Sequence, residues 1–299
     1  VSRWPTPGSG DGFVTCAAGH RHWGRHGAAG LLLHHGGNVL LQHRATWSHE
    51  GGTWALPGGA VHRDEHPLSG ALREAAEEAA VDAAAVRPLA AWTDDHGRWS
   101  YTTIVAEAVA PVAARAADAE SLAVRWVPTA AVSGYPLHPG FAAAWPVLAT
   151  LVGRDEHLVV DAANVIGSRP DGWWRDRAGA TTRLLEGLAT AAQEGFVATS
   201  GLTAPGPPGT SRTWPRVSAV LEGAGRGAIG SRSPDGAAEG SMTVVRAAGS
   251  GDDALVAHVA ALPPTAAVTV VTADRALRER VTARARVVGP QRLLDALPR

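Results

Sequence analysis

Lysine is absent from this chain; all 27 basic residues are arginine. With 35 glycines and an alanine-rich body, this reads as the imprint of a GC-rich genome rather than as selection for guanidinium chemistry. There is one cysteine, Cys16, which excludes an internal disulfide and fits a reducing compartment. No run approaches the roughly 18 apolar residues of a membrane-spanning helix, and the N-terminus lacks a basic-then-apolar signal pattern. The expected location is therefore the cytoplasm, with no membrane partner. The chain opens on Val1 and its one methionine is Met242, which either literal translation of an alternative start codon or trimming of the chain would explain. A net charge of −1 exerts no global pull toward nucleic acid or membrane.

What is present is 299 residues, enough for two ordinary domains. The first half reads as strands, one strong helix, then strands. Ala28–His34 and Asn38–Arg44 flank Gly36-Gly37, a hairpin signal. Pro67 suits a first helical turn, and alanine-rich sequence predicts helix to about Ala84. Tyr101–Ala108 and Ala123–Val127 read as further strands, and Phe141–Leu151 as a closing helix. After the polar joint at 153–156 the pattern changes to strand–helix alternation, as in a parallel sheet covered on both faces. Its strands are Leu158–Asp161, Val217–Leu221, Thr243–Arg246 and Val268–Thr272, and its helices follow Asp176, Asp253 and Arg275. Two Gly-rich loops, 200–215 and 223–240, are expected to be mobile.

The densest chemistry lies in GGAVHRDEHPLSGALREAAEEAAV, residues 58–81, where Glu65, Glu74, Glu77 and Glu78 fall within fourteen positions. On a helix, 74, 77 and 78 share a face, and each like-charged pair costs about 0.2–0.5 kcal/mol. Arg73 points about 100° away and would relieve this only in part. A hard divalent cation relieves it well, since Mg2+ favours carboxylates, waters and substrate phosphates. The plain alternative is a solvated acidic face on an alanine-rich helix.

Gly59, Glu65, Arg73-Glu74, Glu77-Glu78 and Val81, at their spacing, resemble the Nudix box, and Trp54-Ala55-Leu56-Pro57-Gly58-Gly59 looks like the lead-in common in that family. The resemblance covers about residues 25–150. It implies hydrolysis of a diphosphate linkage in a small-molecule nucleotide, with Mg2+ or Mn2+ held by Glu74, Glu77 and Glu78. Glu65 would support the loop and the metal site, and Arg73 would hold a carboxylate in place. Gly58 and Gly59 would let the backbone turn tightly and approach closely. Glu120, six residues before Trp126, is a candidate base or further ligand. Arg44 and the loops 44–52 and 94–100, with Asp94, Asp95 and His96, are where specificity would lie. Ala80 stands where the family has glycine; the helix is expected to run on through it, with no ligand lost.

Cys16, His20, His22 and His26 invite a zinc reading, but C-x3-H-x-H-x3-H matches no common structural site. A strand entrance with Trp23 packed on the core is the expectation instead.

In the second half, Asp161 and Asp274 each follow an apolar strand, Asn164 comes just after the first, and Asp252-Asp253 opens a helix. Ligands of open α/β sheets bind outside the carboxyl ends of the strands, and converging carboxylates call for a divalent cation. Asp252 and Asp253 have a plain alternative as helix-start acids, whereas Asp161 has no evident local role. These short motifs are similar to those of PIN-like nucleases, nearest the NYN branch, over about residues 157–299. That resemblance implies metal-dependent RNA cleavage by Asp161, Asp252 or Asp253, and Asp274. Arg169, Trp173, Trp174 and Arg175 would then contact RNA; equally, the two tryptophans would pack against the first half.

The expected fold class is thus α/β: a Nudix α/β/α sandwich with a mixed sheet over 1–152, then a doubly wound, Rossmann-like PIN-type domain over 157–299. The leading function is a metal-dependent Nudix hydrolase fused to an RNA-cleaving or RNA-binding domain. The alternatives are a ribonuclease whose Nudix half senses a nucleotide, and a Nudix enzyme whose second domain is a non-catalytic dimerisation or binding module.

Overall fold

The computed structural model describes residues 8–170, 172–223, 225 and 242–298. The chain divides into two units, Val1–Gly153 with Pro207–Ser211, and Arg154–Gly206 with Arg212–Arg299. In the first, β1 (Phe13–Thr15) and β2 (Arg21–Trp23) form a small antiparallel hairpin. The main sheet is built on β3 (Ala28–His35), whose first seven residues are all buried, as a continuous apolar run demands of a central strand. β3 turns through Gly36 and Gly37, at φ 54° and 79°, into β4 (Asn38–Arg44). Two successive positive φ values are what a tight hairpin turn requires.

β5 (Trp54–Ala55) pairs antiparallel with β4, and β6 (Gly58–Ala60) antiparallel with β3. Then come α1 (Pro67–Ala79), the hairpin of β7 (Val86–Asp95) and β8 (Ser100–Ala108), β9 (Ser121–Pro128) and α2 (Pro139–Leu148). β8 runs parallel to β3 and β9 antiparallel to β4, so the sheet is mixed. α1 packs on β3, β6 and β8 through Gly70, Ala71, Ala75 and Ala79. Phe141, Trp145 and Leu148 of α2 join Leu32, Val39, Leu41 and Val105 in a separate apolar cluster.

The second unit opens with β10 (Glu156–Asp161), α3 (Ala162–Gly167) and α4 (Arg177–Glu194). β11 (Phe196–Val197) and β12 (Thr210–Thr213) pair antiparallel. β13 (Arg216–Leu221), β14 (Met242–Arg246), α5 (Gly251–Ala261), β15 (Ala267–Val271), α6 (Arg275–Val281), β16 (Arg286–Val288) and α7 (Pro290–Ala296) complete it. Its parallel sheet has the order β14-β13-β10-β15-β16. Leu184, Leu185 and Leu188 of α4 with Leu293 of α7 fill one core, and Leu255, Val259, Leu277 and Val281 of α5 and α6 fill another. Alternation along β10 divides Leu158 and Val160 from Val159 between these two cores. The unit is therefore wound on both faces.

Several expectations change. β7 was not legible as a strand because Pro88 interrupts its pattern; the pairing register shifts at Pro88–Ala90 instead of ending there. The two ends of the 200–215 segment are built into the second unit, with Leu202, Thr203, Thr213 and Trp214 buried and Thr203 and Thr213 hydrogen-bonded at 2.9 Å. The 223–240 loop lies almost wholly outside the described residues. Trp23 is 42% exposed, against Phe13 on the hairpin rather than in the core.

The helix expected to continue past Ala80 stops at Ala79. Ala80 takes the left-handed conformation (φ 55°, ψ 35°), its N–H reaching back to the Ala76 carbonyl at 3.1 Å. A Cβ makes that conformation costly by about 1 kcal/mol. Ala80→Gly is expected to raise unfolding free energy by about 1 kcal/mol in urea titration; a neutral or destabilising result would show that the strain is absorbed elsewhere.

Candidate active site

Arg73 projects from α1 into the acids rather than away from them. Its Nε and Nη2 donate to the two oxygens of Glu65 at 3.0 Å each, Nη1 to Glu74 at 2.7 Å, and Nη2 also to the Ala60 carbonyl at 3.0 Å. Glu77 lies 3.4 Å from Nη1 and is 59% exposed. The sequence-based angle underestimated Arg73 because a long guanidinium side chain reaches sideways across a helix turn. Glu65 also accepts from the His62 N–H at 2.8 Å, and the Arg73 and His62 bonds hold it below the usual carboxylate range.

Glu78 is the buried member of the set, and Glu74 is part-buried, with its side chain 15% exposed. Glu78 is only 5% exposed and accepts from the Gly58 N–H at 2.8 Å. Burial, reinforced by Glu74 and Asp118, pushes its carboxyl up to about 8 against the opposing bond from Gly58. Glu74 is also raised, by burial first, then by Glu77 and Glu120 against the pull of Arg73. Glu120, just before β9, thus belongs to the electrostatic neighbourhood of Glu74.

Gly58 and Gly59 serve close approach, not a turn: they lie in β6, and neither has a positive φ. A Cβ on Gly59 would sit 2.6 Å from the Glu74 carboxylate, and one on Gly58 2.5 Å from the Ala29 carbonyl. Tyr101, passed over in the sequence, sets its hydroxyl over both Gly30 and Gly58. Burial, then the Glu78 charge, pushes its phenol up, and Arg44 pulls the other way. Arg44 acts on Tyr101 electrostatically, while its Nε donates to the His49 carbonyl at 3.3 Å. Asp118, also missed, accepts from Ser121 at 3.0 Å and adds to the charge around Glu78. Asp94 and His96 pair with each other at 3.2 Å in the β7–β8 turn, and Asp95 caps Gly97.

Glu74, Glu77 and Glu78 share one helix face and offer oxygen donors only, and a divalent cation near Glu74 and Glu78 would oppose the upward push that burial exerts on both. The donor set fits Mg2+ or Mn2+.

In the second unit, Asp161 ends β10 and accepts from the Asn164 N–H at 3.1 Å and the Thr272 hydroxyl at 2.8 Å. It therefore has the local role the sequence did not reveal, as the cap of α3. Asn164 accepts from the Ala273 N–H at 2.7 Å, and Asp274 caps α6 through the Leu277 N–H at 2.8 Å. β10 and β15 are adjacent at the point where the strand order reverses, so these residues share one sheet edge. Asp161 is raised by burial first, with Asp252 and Glu222 adding to it, and Asp252 by burial, Asp274 and Glu222. Glu222 was missed, although it follows the strand Val217–Leu221 just as Asp161 and Asp274 follow theirs; it accepts from the Gly251 N–H at 2.8 Å. Asp253 is turned to Arg280 at 2.7 Å. Trp173 packs on the second unit's own core under the Arg177 guanidinium, while Trp174 is 57% exposed. Arg169 and Arg175 are exposed.

The first of these sites lies in the half of the chain that known proteins resemble. The NUDIX domain family matches residues 24–151. The chain is 46% identical over 154 residues to "Putative 8-oxo-dGTP diphosphatase 3" of Mycobacterium tuberculosis, covering 48% of this chain and 70% of that protein. It is 42% identical over 146 residues to a nucleoside triphosphate pyrophosphatase/Nudix hydrolase fusion protein of Bifidobacterium longum, covering 46% of this chain and 30% of the relative. The crystal structure of a Nudix hydrolase from M. smegmatis, RenU, aligns with TM-score 0.42 and 48% identity, over 46% of this chain and 92% of that one. The chain belongs to the Nudix family. Enzymes of this family generally use divalent metals such as Mg2+ or Mn2+.

The raised Glu78 has a consequence for stability. Without metal, the folded protein retains a proton there that the unfolded chain, near its ordinary value of 4.5, has released. The stability contribution is full below pH 4.5 and is lost as pH rises toward 8. Melting temperature in chelator is expected to fall over that range, less steeply in Glu78→Gln, and Mg2+ at pH 8 is expected to restore it. An identical pH slope in the variant would refute this assignment.

Proposed function

We propose that the first unit is a pyrophosphohydrolase of nucleoside triphosphates, with oxidised purine triphosphates foremost among its substrates. The observation that carries the chemistry is the buried Glu78 on the Gly58 N–H of β6, with the part-buried Glu74 over Gly59 and Arg73 holding Glu74 and Glu65. The substrate class draws on the printed names of the relatives from M. tuberculosis and B. longum. Glu74, Glu77 and Glu78 would hold Mg2+ or Mn2+, which when bound supplies charge neutralisation at the phosphoryl oxygens and an activated water. Arg73 fixes Glu65 and Glu74, so that carboxylates needed in one geometry are held there before substrate arrives. Glu120, exposed and coupled to Glu74, is the base we favour for taking the proton of the attacking water. Arg44, whose charge is felt at Tyr101, would supply positive charge for the triphosphate. The turn at 96–99 and the 44–52 loop are the places where base recognition would differ among relatives.

For residues 157–299 we propose a PIN-like, RNA-cleaving domain. The parallel order β14-β13-β10-β15-β16 supports it, together with Asp161 and Asp274 at the strand-order reversal and the coupled acids Asp252 and Glu222. These acids would hold Mg2+ or Mn2+, with Asn164 positioning the 273–274 backbone. In the first alternative the Nudix half senses a nucleotide; in the second the second unit is a non-catalytic RNA-binding or dimerisation module.

A panel of nucleoside triphosphates, including 8-oxo-dGTP, with dinucleotides and ADP-sugars tests the first proposal. With Mg2+, turnover is expected on triphosphates, and Glu77→Gln with Glu78→Gln is expected to lower kcat by about a hundredfold or more. No turnover on any member would overturn it. Separately, single-stranded RNA with Mn2+ is expected to be cut by the wild type and not by Asp161→Asn. Equal cutting by both would leave the second unit as a binding module.

A further inference from the structure

Away from the Nudix acids, the first unit gathers a second set of donors. Cys16, His20, His22 and His96 each present one ligand atom, and the four atoms all lie within 4.8 Å of one another. Three come from the β1–β2 hairpin and the fourth from the β7–β8 turn, so the set joins segments more than 70 residues apart in sequence. His26, which sequence spacing had included, is exposed and takes no part.

The surroundings are arranged around these donors. The turn that brings Cys16 and His20 together is closed by the Cys16 N–H to the His20 carbonyl at 2.9 Å and the Gly19 N–H to the Cys16 carbonyl at 3.0 Å. The His22 ring is stacked on Trp99 at 4.1 Å and 13°, and lies 4.6 Å from the His96 ring. Trp99 Nε1 donates to the Trp23 carbonyl at 3.0 Å, tying the turn to the hairpin. Asp94 Oδ2 is 3.2 Å from His96 Nε2, the carboxylate-behind-imidazole arrangement that orients metal-bound histidines.

Two observations bear on a ligand, and the first is not explained by packing. His22 Nε2 is sealed from solvent and meets no hydrogen-bond partner among the described residues. Leaving a buried polar atom unpaired costs about 1–3 kcal/mol, unless an ion takes it up. Cys16 is 5% exposed and, as the one cysteine of the chain, has no disulfide partner. The hairpin itself has strands of three residues, with Phe13 and Trp23 exposed at 45% and 42%. A two-stranded hairpin of that size has little core of its own and gains most from a staple.

We propose that Cys16, His20, His22 and His96 form a four-coordinate Zn2+ site that fastens the β1–β2 hairpin to the β7–β8 turn. Thiolate and imidazole donors select zinc or a similar borderline-soft ion, in contrast to the hard, all-oxygen set on α1. All four positions are filled by protein, which makes the site structural rather than catalytic. Closing the donors to Zn–N of about 2.0 Å and Zn–S of about 2.3 Å needs only modest side-chain movement within the observed cluster.

The test uses the full chain, stripped of metal and reloaded with Zn2+ or Co2+ in millimolar Mg2+ to occupy the carboxylate site. The wild type is expected to retain one Zn2+ per chain and, with Co2+, to show thiolate charge-transfer and tetrahedral d–d bands. The Glu77→Gln, Glu78→Gln variant is expected to keep those bands, and His26→Ala to leave them unchanged. Cys16→Ser is expected to lose the charge-transfer band, and His96→Ala to weaken Zn2+ binding by at least about tenfold. Zn2+ is expected to raise the melting temperature of the wild type and not of the Cys16→Ser, His96→Ala double variant. A wild-type Co2+ form without a thiolate band would overturn the proposal. So would Zn2+ binding that vanishes with Glu77→Gln, Glu78→Gln and survives Cys16→Ser.

Discussion

The first unit depends on one guanidinium. Among the described residues Arg73 is the cation bonded to Glu65, Glu74 and Glu77, and it also bonds the Ala60 carbonyl at the end of β6. Without it, the acids of α1 would repel one another, and the 61–66 loop would lose its tie to the helix. Arginine can do this because its five donors lie in one plane and reach several acceptors at once. What Arg73 leaves uncompensated is Glu78, buried and pinned by the Gly58 N–H. The site thus holds Glu65 and Glu74 against a guanidinium and leaves Glu78 with a backbone N–H instead.

Glycine strand and acidic helix are interlocked by the same logic. Gly59 leaves room for the Glu74 carboxylate, and Gly58 brings its N–H to Glu78 while the Tyr101 hydroxyl lies over it. The second unit uses its acids twice. Asp161 and Asp274 cap short helices, and the same side chains stand at the reversal of strand order, where parallel sheets open a crevice. Capping explains their presence without a ligand; the upward push on Asp161 from Asp252 and Glu222, and on Asp252 from Asp274 and Glu222, is what capping alone does not explain.

Much of this was legible along the chain. The four glutamates, Arg73 and Gly59 sit at fixed local spacings, and local spacing on a helix is geometry already written in the sequence. β3, the Gly36-Gly37 turn and the parallel strands of the second unit announce themselves through apolar runs bounded by turn residues. Less was legible where two signals conflicted. Pro88 masked β7, and the alanines after Ala79 concealed a stop that the backbone makes at Ala80 with an unfavourable φ. Glu222 went unread although the strand-end argument applied to it as much as to Asp161.

By itself, then, the sequence determined the helical face of acids, its family and the alternation of the second half, because each follows from neighbours within a few residues. Only tertiary structure decided that Arg73 reaches Glu65 and Glu74 together, that Glu78 is the buried acid, and that Tyr101 and Asp118 border it. It also replaced His26 with His96 beside Cys16, His20 and His22. Such groupings depend on which distant strands and turns pack together, and burial, which sets the charge state of each acid, exists only once they have done so.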